Sequence, residues 1–224
     1  LIIAGVFTTI SMLYVAETTL RTNKPLQLSG LAEKYLGQFG SWMMFASVAI
    51  NSLGCLIAYT SGSGRILSEF LNIPTQLGSL LFFIPAAVVI WLGLRATGVS
   101  EKVITFGMIV LVGILVLATV IGPGIKAEHV FYNNWAFAIP VFNLAIFCYI
   151  AQYTVPEMAR GFAAGNIKIL PKAIITGMVL TCILLMLVPM AALGLTGPEN
   201  VTEVVTIAWG QALGQWAFFM ANCF

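Results

Sequence analysis

The chain has 224 residues, of which 60% are hydrophobic and 8% charged, with 10 Lys+Arg, eight Glu, no Asp and a formal net charge of +2. Average globular domains carry about 25% charged residues, and a mean hydropathy of +1.00 leaves too little polar surface to coat a water-soluble body. The bilayer is the expected solvent, which excludes nucleic-acid binders, soluble enzymes and secreted disulfide scaffolds.

A membrane-spanning helix needs roughly 17–25 mostly apolar residues. Seven stretches meet or approach that length: residues 1–16, 41–60, 77–94, 103–121, 136–158, 173–195 and 204–224. The apolar runs are continuous instead of alternating, so a β-barrel is excluded. The expected fold is an all-α, polytopic membrane domain. The first stretch has no charged n-region before it and no small-residue cleavage site, unlike a signal peptide. Both ends of the chain lie inside apolar runs, and we expect an internal segment of a longer protein. The four cysteines, Cys55, Cys148, Cys182 and Cys223, all sit in apolar runs without metal-type spacing. They read as buried thiols acting as small hydrophobes.

Turn chemistry separates the stretches at residues 23–25, 61–64, 122–124, 161–166 and 196–200. After the first, residues 28–39 place Leu28, Leu31, Ala32, Tyr35, Leu36 and Phe39 at helical spacing, with Glu33, Lys34 and Gln38 between them. That pattern predicts a short helix on the membrane interface; a plain connecting helix fits it as well. One set of alternate loops carries Arg21, Lys24, Lys34, Arg95, Lys102, Arg160, Lys168 and Lys172, and the other only Arg65 and Lys126. The bias places the first set in the cytoplasm. The chain is then expected to start outside, end toward the cytoplasm, and follow an odd number of upstream helices, most simply one.

In the second stretch Asn51, Tyr59, Thr60 and Ser61 add polar character, and Gly54 and Ala58 permit close helix contact. Tyr59 suits either a central cavity or an aromatic belt at the outer interface. His129, beside Glu128 in an external loop, reads as solvated.

The region from residue 136 to residue 171 carries the most information. It begins as an apolar half-helix entered through Pro140, runs to Phe147, and continues through Cys148, Tyr149, Ile150, Ala151, Gln152 and Tyr153 into Thr154-Val155-Pro156-Glu157. Thr-x-x-Glu is a capping box, a helix-start signal, and proline is tolerated in a first turn but not in a helix interior. The pattern predicts a helix that breaks near residues 148–153 and restarts; a proline kink is the alternative. Freed backbone groups are costly in lipid, so such breaks persist where they bind a substrate or an ion. Glu157 is the one carboxylate placed to reach membrane depth. It is either a cap and ion-pair partner of Arg160 or part of a proton or substrate path.

In the last stretch Gln211, Gln215 and Asn222 fall on one helical face and suggest either a lined cavity or polar helix contacts, and Trp209 and Trp216 suggest lipid-interface anchors. Asn200-Val201-Thr202 is a formal glycosylation acceptor.

Three groups of residues carry a family resemblance: Leu31-Ala-Glu-Lys-Tyr-Leu-Gly37, Ala58-Tyr-Thr-Ser-Gly-Ser-Gly64, and Val155-Pro-Glu157 with Gly165-Asn-Ile167. In order and spacing the chain resembles amino acid permeases of the amino acid/polyamine/organocation superfamily. It looks closest to prokaryotic aromatic- and hydroxy-amino-acid permeases of the amino acid/auxin permease group. The resemblance implies a five-plus-five inverted-repeat fold with helices 1 and 6 broken at the midplane. This chain would cover about helices 2 to 8, and the half of the site carried by helix 1 would lie upstream. It also implies a substrate pocket from helices 3, 6 and 8. By position the pocket residues would be Tyr59, then Cys148, Tyr149, Ala151, Gln152, Tyr153 and Thr154, then Phe219 and Asn222, with Glu157 as the proton-path candidate. The implied partners are an amino acid and the lipid bilayer, with no nucleic acid. No cofactor or metal is expected. The coupling ion would be H+ in preference to Na+, although residues 103–121 contain no lysine that could serve as an ion substitute.

The expected function is ion-coupled transport of an aromatic or other neutral amino acid across the cytoplasmic membrane by alternating access. A membrane enzyme or sensor is the competing class, and it lacks a catalytic set: one His, no Asp, no H-E-x-x-H and no nucleophile elbow. A channel would need a ring of like charges or a filter repeat, and neither is present in the sequence.

Overall fold

The computed structural model describes residues 1–22, 26–130, 135–162, 166–200 and 204–222. In chain order the helices are α1 (Ile2–Thr22), α2 (Leu28–Leu71), α3 (Thr75–Trp91), α4 (Leu94–Ile121), α5 (Ala127–Val130), α6 (Ala138–Tyr149), α7 (Val155–Gly161), α8 (Leu170–Thr196), α9 (Val205–Leu213) and α10 (Gln215–Asn222). Short 3-10 turns occur at Trp135–Phe137, Gln152–Thr154, Ile167–Ile169 and Pro198–Asn200. No strand occurs among the described residues. Among the described residues, five segments are long and apolar enough to cross a bilayer: Ile2–Thr22, Leu28–Leu71, Gly98–Ile121, Trp135–Gly161 and Leu170–Thr196. The architecture is all-α and polytopic. The expected turn at residues 23–25 with Lys24, Gly165 of the third family-like group, Val201 and Thr202 of the glycosylation acceptor, and Cys223 lie outside the described residues.

The structure departs from the expected boundaries in several places, each for a local reason. Residues 28–71 are helical throughout except for Gly37, which takes φ 73° and ψ −173° and so sets the amphipathic opening apart from the span. The glycine-rich stretch 61–64, expected as a turn, is helical. Gly64 instead lets α2 and α3 approach: a Cβ there would stand 2.9 Å from the backbone nitrogen of Ser79, and the Ser79 hydroxyl donates to the Thr60 carbonyl at 3.1 Å. Lys102, expected at a loop edge, lies inside α4, which starts after Gly93 at φ 90°.

The last stretch is not one span. Gly214 adopts φ 107° and ψ 173°, and α9 and α10 fold back on each other around it. Gly210 leaves room for the backbone of Phe218, and the Thr206 hydroxyl donates to the Asn222 side-chain oxygen at 2.8 Å. Gln211 and Gln215 therefore belong to different helices, and the expected polar stripe does not form.

The chain divides into two compact units, Leu1–Gly54 with Asn134–Leu185 and Cys55–Asn133 with Met186–Phe224. In the first, α1 buries Ala4, Gly5, Thr8, Met12, Ala16, Thr19 and Thr22. This small-residue face admits α6 and α7 closely. Ala145, Tyr149, Val155, Ala159, Leu170, Ile174 and Met178 complete that core. The threonine hydroxyls are tolerated in hydrocarbon because they bond back one turn, Thr8 to the Ala4 carbonyl at 2.8 Å and Thr19 to the Val15 carbonyl at 2.7 Å. At the other end of α1, the hydroxyls of Thr22 and Tyr35 are 3.0 Å apart, tying α1 to the opening of α2.

The second unit is built on Leu115, Ala191, Ala192, Trp209 and Ala217. Trp209, expected at the lipid interface, is instead fully buried, because the Thr119 hydroxyl gives its indole N–H a partner. Trp216 stays exposed. His129, expected in solvent, is half-buried: its Nδ1 is 3.2 Å from the Gly194 carbonyl, and its ring lies against Gly197.

Candidate functional site

The interruption within residues 136–158 is resolved atom by atom. α6 stops at Tyr149 because Ile150 turns extended, with φ −64° and ψ 107°. Ala151 follows at φ −141° and ψ 15°, and a single 3-10 turn, Gln152–Thr154, leads into α7 with Pro156 in its first turn. A helix that stops leaves its last carbonyls without intrahelical donors. The Phe147 carbonyl is met by the N–H of Ile150 at 3.4 Å. The Ala151 carbonyl is met twice by Thr154, from its N–H at 3.0 Å and its hydroxyl at 2.7 Å.

That second bond corrects the expected capping box. Thr154 has helical backbone angles and makes no side-chain cap. Its hydroxyl turns back to stiffen the 3-10 turn, while Glu157 turns forward to Arg160, whose Nη1 donates at 3.1 Å. Both members of this ion pair are substantially exposed, 53% for Glu157 and 38% for Arg160.

The break has two sides. Tyr149, Val155 and Pro156 face inward and are buried in the core of the first unit. Cys148 and Tyr153 are exposed, and Ile150, Ala151, Gln152 and Thr154 are half-buried. Cys148 is thus not the buried thiol expected from hydropathy, whereas Cys55 and Cys182 are half-buried. The exposed and half-buried residues of the break include a thiol, an amide, a phenol and a hydroxyl within seven residues. Such a set offers donors and acceptors to a zwitterion and an aromatic face to a ring.

The remaining expected site residues belong to the second unit. Tyr59 is exposed on α2. Phe219 is exposed and makes an edge contact with Phe70, ring centres 5.7 Å apart. Asn222 is buried, and its amide is engaged: it donates to the Phe218 carbonyl at 2.9 Å and accepts from Thr206.

A groove of about 790 Å³ runs along α1 and the opening of α2, lined by Phe7, Ile10, Tyr14, Leu31 and Leu36 among others, with the Glu17–Arg21 pair on its wall. It includes no residue of the break. Its apolar, outward-facing walls suit acyl chains better than a zwitterion. Among the described residues no three His, Cys, Asp or Glu side chains gather where they could hold a metal.

The tryptophan/tyrosine permease family matches the chain over residues 1–210, a span that contains the whole break. No curated protein and no solved structure matches it.

Proposed function

We propose, because this chain belongs to the tryptophan/tyrosine permease family, that it carries an aromatic amino acid across the cytoplasmic membrane by alternating access and that the α6–α7 break meets the substrate. The observation that carries the site is the departure from helix between Tyr149 and Val155 inside the apolar segment Trp135–Gly161. In lipid, such a departure is stable only where freed backbone groups find partners in protein, water or a ligand. On this reading the carbonyls ending α6 receive the substrate ammonium, Gln152 and Thr154 orient it, and Tyr153 with Cys148 lines the space for its ring. Tyr59, Phe219 and Asn222 are held as pocket candidates by the family resemblance alone.

The reading includes coupling to protons in preference to sodium, with Glu157 as the carboxylate that exchanges them, and a five-plus-five inverted-repeat scaffold. Support for both comes from the resemblance to the amino acid/polyamine/organocation superfamily. Glu157 lies near the end of the apolar segment Trp135–Gly161, with its carboxylate on Arg160 and not in the buried core.

The test is uptake by the full-length protein in cells or proteoliposomes, with radiolabelled Trp, Tyr, Phe, Ser and Thr under an imposed proton gradient. Accumulation of Trp, Tyr or Phe is expected. Tyr153→Ala and Gln152→Ala are expected to raise KM while the protein remains folded. Failure to accumulate any amino acid overturns the reading.

A further inference from the structure

The groove of about 790 Å³ along α1 and the opening of α2 changes character along its length. Phe7, Ile10, Leu31 and Met44 make its walls apolar, and toward the end of α1 it reaches Glu17 and Arg21. Tyr35 lines it as well. The Tyr35 hydroxyl meets that of Thr22 at the end of α1, and the Lys34 ammonium lies 5.4 Å from the centre of the Tyr35 ring. Two cations and one carboxylate therefore gather at one end of an apolar channel. Glu17 takes one N–H bond of Arg21. A guanidinium has five N–H groups, so Arg21 keeps donors for an anion.

A second recess, of about 420 Å³, lies just past the left-handed backbone of Gly37, among Phe39, Met43 and Ser47. It shares Leu36 and Met44 with the groove. α1 is long and apolar enough to cross a bilayer, and from Phe7 to Arg21 it rises about 21 Å at 1.5 Å per residue. One leaflet with its headgroups has about the same thickness, half of roughly 40–45 Å. Two adjoining apolar recesses with one charged end match an amphiphile that has two chains and one head. The excess of basic side chains at that end favours an anionic head.

We propose that these recesses form a binding site for one anionic diacyl phospholipid. Its phosphate is held by Arg21 and Lys34, one acyl chain lies in the α1–α2 groove, and the other lies in the recess beyond Leu36 and Met44. The chains gain little by leaving the bilayer, because lipid tails are as apolar as leucine, so selectivity comes from the head. The site shares no residue with the α6–α7 break, and it stands whether or not the break binds an amino acid.

The test uses full-length protein in detergent and follows its melting temperature during titration with dioleoyl phosphatidylglycerol, dioleoyl phosphatidylcholine or inorganic phosphate. Phosphatidylglycerol is expected to raise Tm to a plateau, above the effect of phosphatidylcholine, and phosphate to leave Tm unchanged. Arg21→Gln and Lys34→Gln alter exposed side chains and are expected to keep the lipid-free Tm. Each is expected to raise the half-saturating concentration of phosphatidylglycerol roughly fivefold. Ser11→Trp fills the groove from an exposed lining position and is expected to abolish the preference for phosphatidylglycerol. Equal responses to the two lipids, or a phosphate response equal to that of phosphatidylglycerol, overturn the proposal. An undiminished phosphatidylglycerol response in the Arg21→Gln/Lys34→Gln double variant overturns it too. So does a Ser11→Trp variant that melts lower without lipid yet keeps the preference, which would show the groove filled by protein.

Discussion

The indole N–H of Trp209 donates to the hydroxyl of Thr119 at 2.9 Å, and both side chains are fully buried. Thr119 in turn donates to the Leu115 carbonyl at 2.8 Å, so one hydroxyl serves a helix and a tryptophan together. Thr119→Val keeps the shape and strands the indole N–H. It is expected to cost about 1–3 kcal/mol, read as a lower melting temperature of the full-length protein in detergent. Trp209→Phe in that background is expected to recover part of the loss, because the stranded donor is gone. Equal Tm values for wild type and Thr119→Val would contradict this account.

Gly64 supports the α2–α3 contact through its missing side chain. The atom that a Cβ would meet at 2.9 Å is the backbone nitrogen of Ser79, which cannot rotate away. Gly64→Ala is expected to destabilise by about 1–3 kcal/mol, the range for overpacking. Gly54→Ala, in the same helix with open space around it, is expected to be nearly neutral. Comparing the thermal stability of the two variants checks the contact.

The hairpin of α9 and α10 makes a similar demand on two glycines for different reasons. Gly214 needs its positive φ of 107°, a conformation costing other residues about 1–3 kcal/mol. Gly210 needs space, since a Cβ there would stand 3.0 Å from the backbone nitrogen of Phe218. Both Gly214→Ala and Gly210→Ala are expected to lower Tm, and combining them should be less than additive because either one opens the same hairpin. Full additivity in a thermal melt would show the two sites to be independent.

Glu157 and Arg160 form an ion pair outside the buried core, near the end of the segment Trp135–Gly161, and exposed pairs contribute about 0–1 kcal/mol. Glu157→Gln is therefore expected to leave Tm essentially unchanged. On the proton-coupled reading it keeps exchange of amino acid down its own gradient and loses accumulation driven by the proton gradient. Gradient-driven accumulation at the wild-type level would remove Glu157 from the proton path.

The amino-acid order by itself determined the fold class and the approximate place of the interruption. Hydropathy sums along a helix, so most long apolar runs announce spans; residues 204–222 are an exception, because Gly214 folds that run into two short helices. Pro156 excludes a helix interior through its own ring and missing N–H. Tertiary structure alone decided what depends on a partner. Thr154 and Glu157 have the spacing of a capping box, yet the Ala151 carbonyl and Arg160 compete for their side chains and win. Glycine in a sequence marks a turn or a close approach equally well, and only the position of Ser79 separates these at Gly64. Trp209 reads as an interface anchor until Thr119, ninety residues away in the chain, supplies its buried partner. The ring of Tyr149 is buried against α1, where Gly5 leaves room for it, and no local pattern around residue 149 announces that neighbour. Burial and hydrogen-bond pairing are properties of two residues at once, and a reading of one position at a time does not contain them.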